Sequence, residues 1–324
     1  MDAYVGIDLG GTNIKVGLFS PEMRLVDQNL SRTEVEQGFD HVMEQIAGSV
    51  RATCDRNRVA GGGVRAVGIG CPGPVDVARG LMVVAPNFPG WRDLQVRDIL
   101  AQKLGGVPTV LENDANVAAY AEFRMGAGRG LDSLVMVTLG TGIGGGIVID
   151  GKIHRGATDT AGELGHVIVE VDGRPCGCGR RGCLEAYASA TGTVARFREA
   201  LGRGRPSALA AAGAVPDGIT AKDIFEAAAA GDALAVETID QTARYLAIGC
   251  DAIVNLIDPD IIVFTGGMTA AGDRLMGPVE RYARERFFPR PRKHTRLALT
   301  ELGGDAGIIG AGLCAQDLCE TSAS

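Results

Sequence analysis

The same pattern, a strand, a glycine-rich turn and a second strand, occurs twice in this chain and constrains its fold more than any other feature. Residues 5–9 are typical of a buried strand, Gly10–Asn13 of a turn, and residues 14–19 of an alternating strand. The order returns with a strand at 134–139, a turn at 140–146 and a strand at 147–150. We interpret the two units as the starts of two related halves.

Helices and further strands are predicted between and after these units. Residues 38–55, 114–125 and 233–257 have the features of helices, and the last of them carries apolar side chains at alternating spacings of four and three. Residues 66–70 and 261–264 read as buried strands. The alternation of strands with helices predicts the α/β class.

Composition excludes several classes of protein. The 324 residues include 32 Lys plus Arg and 39 Asp plus Glu, so the net charge is −7, and only 5% are aromatic. An acidic chain with few aromatic side chains is a poor nucleic-acid binder. The sequence contains no apolar run of membrane-spanning length, and its eight cysteines are too few for a disulfide scaffold. Residues 1–4 lack the basic and apolar regions of a signal peptide, so we expect none. We therefore expect a cytoplasmic protein without a membrane or nucleic-acid partner.

Both glycine turns are candidate phosphate-binding loops. Glycine allows backbone N–H groups to approach phosphate oxygens, although tight hairpin turns without a ligand use the same residues. Residues 140–145 match the dinucleotide pattern G-x-G-x-x-G, but a strand follows them instead of the helix that this site requires. Asp8 ends the strand before the first loop, where its carboxylate would either hold Mg²⁺ against a phosphate or stabilise the turn.

Three cysteines between residues 176 and 183 form the most specific pattern in the chain. Cys176, Cys178 and Cys183 have the spacing C-x-C-x₄-C, and His166 precedes them by ten residues. Three thiolates and one imidazole predict a closed, structural Zn²⁺ site, and two arginines inside the segment favour the thiolate form. The alternative is a group of redox-active or buried thiols.

Carboxylates stand close to these motifs. Asp114 lies at the predicted start of a helix, where it would serve either as an N-cap or as the ionised group that accepts a hydroxyl proton in phosphoryl transfer. Glu163 and Glu185 bracket the proposed zinc ligands. A metal knuckle that anchors two carboxylates predicts a rigid site for a substrate with several hydroxyl groups. Solvated glutamates are the alternative.

Taken together, these motifs resemble the sugar kinases of the ROK family (repressor, open reading frame, kinase), and among them the bacterial glucokinases. The resemblance spans nearly the whole chain, and the pairing of Glu-x-Gly-His with Cys-x-Cys-Gly-x-x-Gly-Cys-x-Glu is its most specific part. The matching segments are residues 8–15, 71–76, 87–91, 112–116, 139–146, 163–166, 176–185 and 305–311.

The resemblance implies an actin/hexokinase-like (ribonuclease H-like) fold of two α/β domains with ATP in the cleft between them. The expected smaller domain comprises residues 1–115 with the C-terminal helix, about 305–324. The expected larger domain comprises residues 116–304 and carries the zinc site. We also expect a homodimer or a homotetramer.

The resemblance further assigns roles to individual positions. Asp114 is implied to be the general base for the sugar 6-hydroxyl. The positions implied to bind sugar are Asn87, Asn113, Asp114, Glu163, His166 and Glu185. The positions implied to hold the phosphates are Asp8, Gly10, Gly11, Thr12, Asn13, Thr138, Gly140, Thr141 and Gly142, with Gly266 and Gly267 near the nucleoside. The implied zinc ligands are His166, Cys176, Cys178 and Cys183.

The implied activity is ATP- and Mg²⁺-dependent phosphorylation of a hexose at its 6-hydroxyl, and residues 87–91 favour glucose. A kinase for N-acetylmannosamine, fructose or another hexose is the nearest alternative, and polyphosphate remains open as a donor. A non-catalytic sugar sensor is the alternative from another class. Family repressors carry a DNA-binding segment before the kinase body, and we expect none here because the first phosphate loop begins at Asp8.

Overall fold

A computed structural model gives the structure of the protein and describes residues 2–59, 62–85, 88–210, 217–289 and 295–322. The strands are β1 (Ala3–Leu9), β2 (Asn13–Phe19), β3 (Leu25–Arg32), β4 (Val64–Cys71), β5 (Val75–Asp76), β6 (Leu81–Val84), β7 (Arg92–Leu94), β8 (Thr109–Asn113), β9 (Ser133–Leu139), β10 (Ile143–Ile149), β11 (Lys152–Ile153), β12 (Ile261–Thr265) and β13 (Arg296–Leu299). The helices are α1 (Phe39–Arg56), α2 (Val96–Lys103), α3 (Asp114–Met125), α4 (Glu185–Ala188), α5 (Ala190–Gly202), α6 (Ala221–Ala229), α7 (Ala233–Ile257), α8 (Asp273–Arg286) and α9 (Ala306–Ser322). The α/β class is confirmed.

The two large sheets share one strand order. The first sheet has the order β3-β2-β1-β4-β8 and the second β11-β10-β9-β12-β13. Numbered within each half, both orders read 3-2-1-4-5. In the first sheet β1, β4 and β8 run parallel, and in the second β9, β12 and β13 do. The common order supports the interpretation that the two strand–turn–strand units begin related halves.

The second glycine turn is shorter than predicted. We expected a turn over residues 140–146, but β10 already begins at Ile143, so only residues 140–142 lie outside the strands. Three of the glycines assigned to the turn therefore belong to β10. Glycine is disfavoured in strands, so the run of glycines was predicted as a turn although it belongs to a strand.

The chain divides into two compact units. Unit 1 contains Met1–Leu131, Gly146–Ala161 and Glu301–Ser324, and unit 2 contains Asp132–Gly145 and Gly162–Thr300. These units differ from the expected domains in two places, because both α3 and Gly146–Ala161 belong to unit 1. Helix α3 packs there along α9. Tyr120 of α3 donates a hydrogen bond to Asp317 of α9 (2.5 Å), and Arg124 contacts the same carboxylate (3.2 Å).

Each unit is built around its own buried strands. In unit 1 the apolar face of α1 packs into the core of the first sheet, and its buried apolar residues are Val42, Met43, Ile46, Ala47 and Val50. In unit 2 helix α7 begins at the N-cap Asp232, whose side chain accepts the amide of Ala235 (2.8 Å), and ends at Asp258 in a left-handed conformation.

In the described residues, no helix is long and apolar enough for a membrane crossing.

Close backbone contacts allow α9 to enter unit 1. A Cβ atom at Gly68 of β4 would overlap the carbonyl oxygen of Ala311, and one at Gly310 of α9 would overlap the carbonyl oxygen of Val117 on α3. No side-chain rotation could relieve either overlap, because both neighbours are backbone atoms. Glycine at these positions is therefore required for α9 to pack against both β4 and α3.

We predict that Gly310→Ala destabilises the protein by about 1–3 kcal/mol, as expected for overpacking of a close contact. Gly48→Ala is the matched control, because Gly48 also lies within a helix of unit 1 but its added Cβ would meet only the tip of Arg51, at 4.0 Å. That variant should gain about 0.5–1 kcal/mol from helix propensity. Urea unfolding of the three proteins measures both changes, and a Gly310→Ala protein as stable as wild type would contradict the packing argument.

Candidate active site and metal centre

The first glycine loop is held by hydrogen bonds within the protein and is exposed over residues 11–13. Gly10 donates its amide to the carbonyl of Asn13 (2.9 Å). Thr33, which is buried, donates its hydroxyl to the carbonyl of Gly10 (2.8 Å) and its amide to the carbonyl of Thr12 (2.8 Å). Gly11, Thr12 and Asn13 remain exposed. The loop therefore presents a braced backbone to a ligand.

Asp8 lies at the end of β1 beside this loop. A Cβ atom at Gly307 would lie 2.5 Å from Asp8 Oδ2, so a larger residue there would displace this carboxylate. Burial raises the pKa of Asp8, and the nearby charge of Lys15 opposes that shift. Lys15 itself donates to Asp305 Oδ1 (2.9 Å) at the start of α9. The result is a half-buried carboxylate whose charged form a cation would stabilise.

Asp114 is the first residue of α3, and its electrostatic environment differs from that of an ordinary surface aspartate. Burial and the negative charge of Asp8 raise the pKa of Asp114 to about 6, against an opposing hydrogen bond from the amide of Ala115. The N-cap of α3 is Asn113, whose side chain accepts two helix amides. Asp114 is therefore not needed as the cap, and its carboxylate is tuned close to neutral pH, as a general base requires.

The side chain of Asn113 is engaged by neighbouring groups of unit 1. Its Oδ1 atom accepts the amides of Ala115 (2.9 Å) and Asn116 (3.1 Å), and its Nδ2 atom donates to the carbonyl of Gly73 (3.1 Å). A side-chain hydrogen bond from Asn113 also lowers the pKa of Asp114. A side-chain amide carries two N–H groups, so Gly73 and Asp114 account for both of them.

Glu112 holds the beginning of α3, a role that no motif in the sequence indicated. Its side chain is 1% exposed and accepts hydrogen bonds from Arg155 Nε (2.6 Å), Asn116 Nδ2 (2.9 Å) and the amide of Asn113 (3.0 Å). A buried carboxylate is tolerated only when it is paired in this way. The available signal was a glutamate directly after an apolar strand, but its partner is 43 residues away in sequence.

The second glycine loop, in unit 2, is held by the segment that precedes and opens α5. Gly140 donates its amide to the carbonyl of Gly142 (3.0 Å) and accepts the amide of Ala190 (2.9 Å). Thr191 donates its hydroxyl to the carbonyl of Thr141 (2.8 Å). Carbonyl groups of the loop are thus occupied, as expected for a loop that offers N–H groups to an anion.

Gly266 and Gly267 follow β12 next to the second loop. Gly266 has φ +100°, and a Cβ atom there would lie 2.5 Å from the carbonyl oxygen of Leu139, so no other residue fits. Thr138, the residue before Leu139, accepts the amide of Gly144 through its hydroxyl (3.0 Å). Unit 2 therefore brings the predicted nucleoside glycines to the strand that enters the second phosphate loop.

His166, Cys176, Cys178 and Cys183 form a cluster with the dimensions of a metal site. Their ligand atoms all lie within 4.8 Å of one another, with 3.7 Å between Cys176 Sγ and His166 Nδ1 and 3.7 Å between the sulfurs of Cys178 and Cys183. A tetrahedral site with metal–sulfur bonds of about 2.3 Å has edges of about 3.8 Å. The four predicted ligands therefore fit a single tetrahedral cation.

The thiols of this cluster differ in acidity. Hydrogen bonds from the backbone and side chain of Arg180 lower the pKa of Cys178 to about 6, which agrees with the effect expected of the neighbouring arginines. Burial raises the pKa of Cys176 to about 12 and also raises that of Cys183. A bound cation would favour the thiolate form of all three, because metal coordination deprotonates thiols.

The predicted sugar-binding side chains of unit 2 surround this cluster. His166 Nδ1 faces Cys176, while its Nε2 atom lies 4.0 Å from Glu163 Oε2. Glu185 has one carboxylate oxygen 3.7 Å from Cys176 Sγ, and the other accepts the amide of Ile143 (2.9 Å). A metal bound through Nδ1 would leave Nε2 of His166 free for a substrate hydroxyl.

Each unit thus brings together its own set of predicted positions. Unit 1 gathers Asp8, Gly10, Gly11, Thr12, Asn13, Asn113 and Asp114. Unit 2 gathers Thr138, Gly140, Thr141, Gly142, Glu163, His166, Cys176, Cys178, Cys183, Glu185, Gly266 and Gly267. Asn87, predicted to bind sugar, lies outside the described residues.

Comparisons with known proteins identify the family of this chain. The sequence model of the ROK family matches residues 4–318, and the chain belongs to that family. It is 38% identical to a glucokinase of Thermotoga maritima over 95% of both chains, and 36% identical to one of Halalkalibacterium halodurans over 95% of this chain and 93% of that one. Among solved structures, it resembles a ROK family glucokinase from Streptomyces griseus in complex with glucose and AMPPNP, with a TM-score of 0.78 and 36% identity over 97% and 99% of the two chains.

The raised pKa of Asp114 can be measured directly. In protein freed of divalent cations, NMR titration of the side-chain carboxyl carbon should give a pKa of about 6 for Asp114. Asp8→Asn removes a nearby negative charge and should lower that pKa, whereas Asp27→Asn, whose carboxylate pairs with Arg56, should leave it unchanged. A wild-type pKa near the ordinary value of about 3.9 would disprove this electrostatic environment.

Proposed function

We propose that this protein is a hexose kinase that transfers the terminal phosphoryl group of ATP to the 6-hydroxyl of glucose. The observation that carries the proposal is Asp114, a half-buried carboxylate at the start of α3 that interacts with the charge of Asp8 and has a pKa of about 6. Relatives named glucokinase, similar over nearly their whole length, support glucose as the substrate. The Streptomyces griseus neighbour, solved with glucose and AMPPNP, supports ATP as the donor.

In the proposed reaction Asp114 accepts the proton of the 6-hydroxyl as the sugar oxygen bonds to the terminal phosphorus and the bond to the bridging oxygen of ADP breaks. A carboxylate with a pKa of about 6 is ionised at neutral pH and can receive that proton. The residues expected to bind the sugar hydroxyls are Asn87, Asn113, Glu163, His166 and Glu185. These contacts hold the nucleophile in line, which is the main requirement of phosphoryl transfer.

The two glycine loops bind the phosphates through their backbone N–H groups. Residues 10–13 and Thr138–Gly142 serve this purpose, and Gly266 and Gly267 lie against the nucleoside. Asp8 has the chemistry of a Mg²⁺ ligand: a half-buried carboxylate in a space that the missing side chain of Gly307 leaves open. A bound Mg²⁺ ion would neutralise part of the negative charge of the phosphates.

We further propose that the Cys₃His cluster binds structural Zn²⁺. Three sulfurs and an imidazole nitrogen are the ligand set that zinc prefers, and their spacing fits a tetrahedral site. The knuckle then fixes His166 and Glu185 next to each other. Zinc acts here as a support for the sugar-binding side chains and takes no part in phosphoryl transfer.

Specificity is best resolved by a panel of hexoses and donors in a coupled assay of ADP release. Glucose with ATP should give the highest kcat/KM. A preference for N-acetylmannosamine or fructose, or turnover with polyphosphate, would change the assigned substrate or donor but keep the kinase. A protein that binds sugar without any phosphoryl transfer would be a sensor, against the proposal.

Cytoplasmic location and a homodimer or homotetramer complete the proposed picture. Expected partners are the hexose and ATP, with neither membrane nor nucleic acid. The mass of the assembly in solution can be measured by light scattering after size-exclusion chromatography, and a monomer at micromolar concentration would contradict the proposed oligomer.

Replacing the proposed base tests the mechanism. Asp114→Asn keeps the shape of the side chain but cannot accept the proton, so kcat should fall by about 10²–10⁴-fold with a smaller change in the KM for glucose. Asp98→Asn is the control, since Asp98 is an exposed partner of Arg97 and should retain wild-type kinetics. An Asp114→Asn enzyme with more than about a tenth of wild-type kcat would refute the role, because a general base contributes more than that.

The metal proposal predicts about one zinc per chain by elemental analysis of protein made without added metal. Cys178→Ser should lose the zinc and the activity together, because the knuckle that holds His166 and Glu185 would no longer be closed. Cys319→Ser should keep both, since Cys319 lies on α9 and donates to the carbonyl of Arg65. Full activity in a zinc-free Cys178→Ser protein would show that the metal is dispensable.

A further inference from the structure

Arg196 on α5 is a half-buried cation whose partners are neutral. Its Nε atom donates to the carbonyl of Tyr187 (3.0 Å), Nη1 to Gln241 Oε1 (3.0 Å), and Nη2 to the carbonyl of Thr238 (3.4 Å) and the hydroxyl of Thr242. None of the hydrogen bonds that the structure describes for this guanidinium goes to a carboxylate. Removing a cation from water without an ion pair is costly, so its contacts need an explanation beyond charge pairing.

The carbonyl of Tyr187, which accepts from Arg196, lies in a segment that makes two further contacts. Residues 185–191 begin with Glu185, which accepts the amide of Ile143, and end where Ala190 and Thr191 bond to the second glycine loop. Helix α4 occupies only four residues of this segment, too few for a helix that is stable by itself. Its geometry must therefore come from tertiary contacts.

Arg196 of α5 supplies such a contact by linking α4 to α7. The ring of Tyr187 stacks on Tyr245 of α7 with 4.4 Å between centroids, and Arg196 lies 5.8 Å from the centroid of Tyr245. The hydroxyl of Tyr187 accepts the amide of Arg174, two residues before Cys176 (2.6 Å). Arg196 thus fixes the backbone of Tyr187, while the side chain of Tyr187 contacts α7 and the segment that precedes the Cys₃His cluster.

We propose that Arg196 is a positioning residue that holds segment 185–191 in place and thereby aims the carboxylate of Glu185. This inference rests on the proposed function for the role of Glu185 in hexose binding, but not for the geometry itself. The guanidinium suits the task because its planar, multiply donating group reaches a carbonyl of α4 and acceptors of α7 at the same time. Methionine keeps the apolar stem and removes every donor.

Burial lowers the pKa of Arg196 to about 10, which is still well above neutrality. The side chain therefore keeps all its N–H donors across the physiological range, and its hold on Tyr187 does not switch with pH. A lysine at this position would keep the charge but reach fewer acceptors, so Arg196→Lys should give an intermediate result.

Amide hydrogen exchange tests the positioning directly and without any substrate. In Arg196→Met the amides of Ile143 and Ala190 should exchange about tenfold faster or more than in wild type. Ile143 donates to Glu185 of segment 185–191, and Ala190 lies in that segment and donates to the carbonyl of Gly140, so both hydrogen bonds break when the segment moves. The amide of Gly144, which bonds to Thr138, should keep its rate. Arg198→Met is the matched control on the same helix, since Arg198 contacts only the exposed carboxylate of Asp217 among its described ion pairs.

Kinetics then test whether a displaced segment 185–191 weakens the use of glucose. Arg196→Met should lower kcat/KM for glucose by about tenfold or more, as expected for a misplaced substrate contact, with zinc content unchanged. If Arg196 acts through Glu185, the double variant Arg196→Met/Glu185→Gln should be no worse than Glu185→Gln alone. Fully multiplicative losses would overturn the proposal, as would unchanged exchange at Ile143 and Ala190.

The two proposals can fail separately. Absence of hexose-dependent ATP consumption in the wild-type protein would reject the proposed function, while the exchange measurement would still decide the role of Arg196. If Arg196→Met does not fold, Arg196→Lys provides the same exchange and kinetic readouts. A lysine variant with wild-type exchange and wild-type kcat/KM would reject Arg196 as a positioning residue, because one ammonium group cannot replace the full set of hydrogen bonds.

Discussion

The contact between α9 and the strands of unit 1 is the constraint on which much of that unit depends. A Cβ atom at Gly6 or at Gly68 would overlap a carbonyl oxygen of α9, so the helix lies against the sheet at a distance that only glycine permits. The same helix presents Gly307 to Asp8, whose carboxylate occupies the space of the missing side chain. A segment from the end of the chain therefore shapes the surroundings of a carboxylate at its beginning.

Three carboxylates on or next to α3 show how environment separates structural from chemical roles. Glu122 is fully buried and accepts hydrogen bonds from three backbone amides, two of them just before α9. Glu112 is satisfied by Arg155 and by amide groups. Burial and the negative charge of Asp8 raise the pKa of Asp114 to about 6, although hydrogen bonds oppose the shift. Among the three, Asp114 is the one suited to exchange a proton at neutral pH.

Local patterns predicted single elements well and their assembly less well. Helices 114–125 and 233–257 were predicted with the bounds that the structure has, although the N-cap of the first is Asn113 and not Asp114. The second glycine turn was predicted to be longer than it is, since the glycines of β10 resemble turn residues. The unit boundaries also differed, because the packing of α3 along α9 is a contact between distant segments.

The sequence by itself determined the α/β class, the repeated strand–turn–strand units and the four members of the metal cluster, because these depend on short spacings and residue types that survive any packing. The tertiary structure decided which carboxylate is tuned, since the pKa of Asp114 depends on burial and on Asp8, more than 100 residues away. It also decided that Glu112 pairs with Arg155, and that Arg196 holds the segment that begins at Glu185. Hydrogen bonds and desolvation between distant segments exist only once the chain has folded, so no local pattern could reveal them.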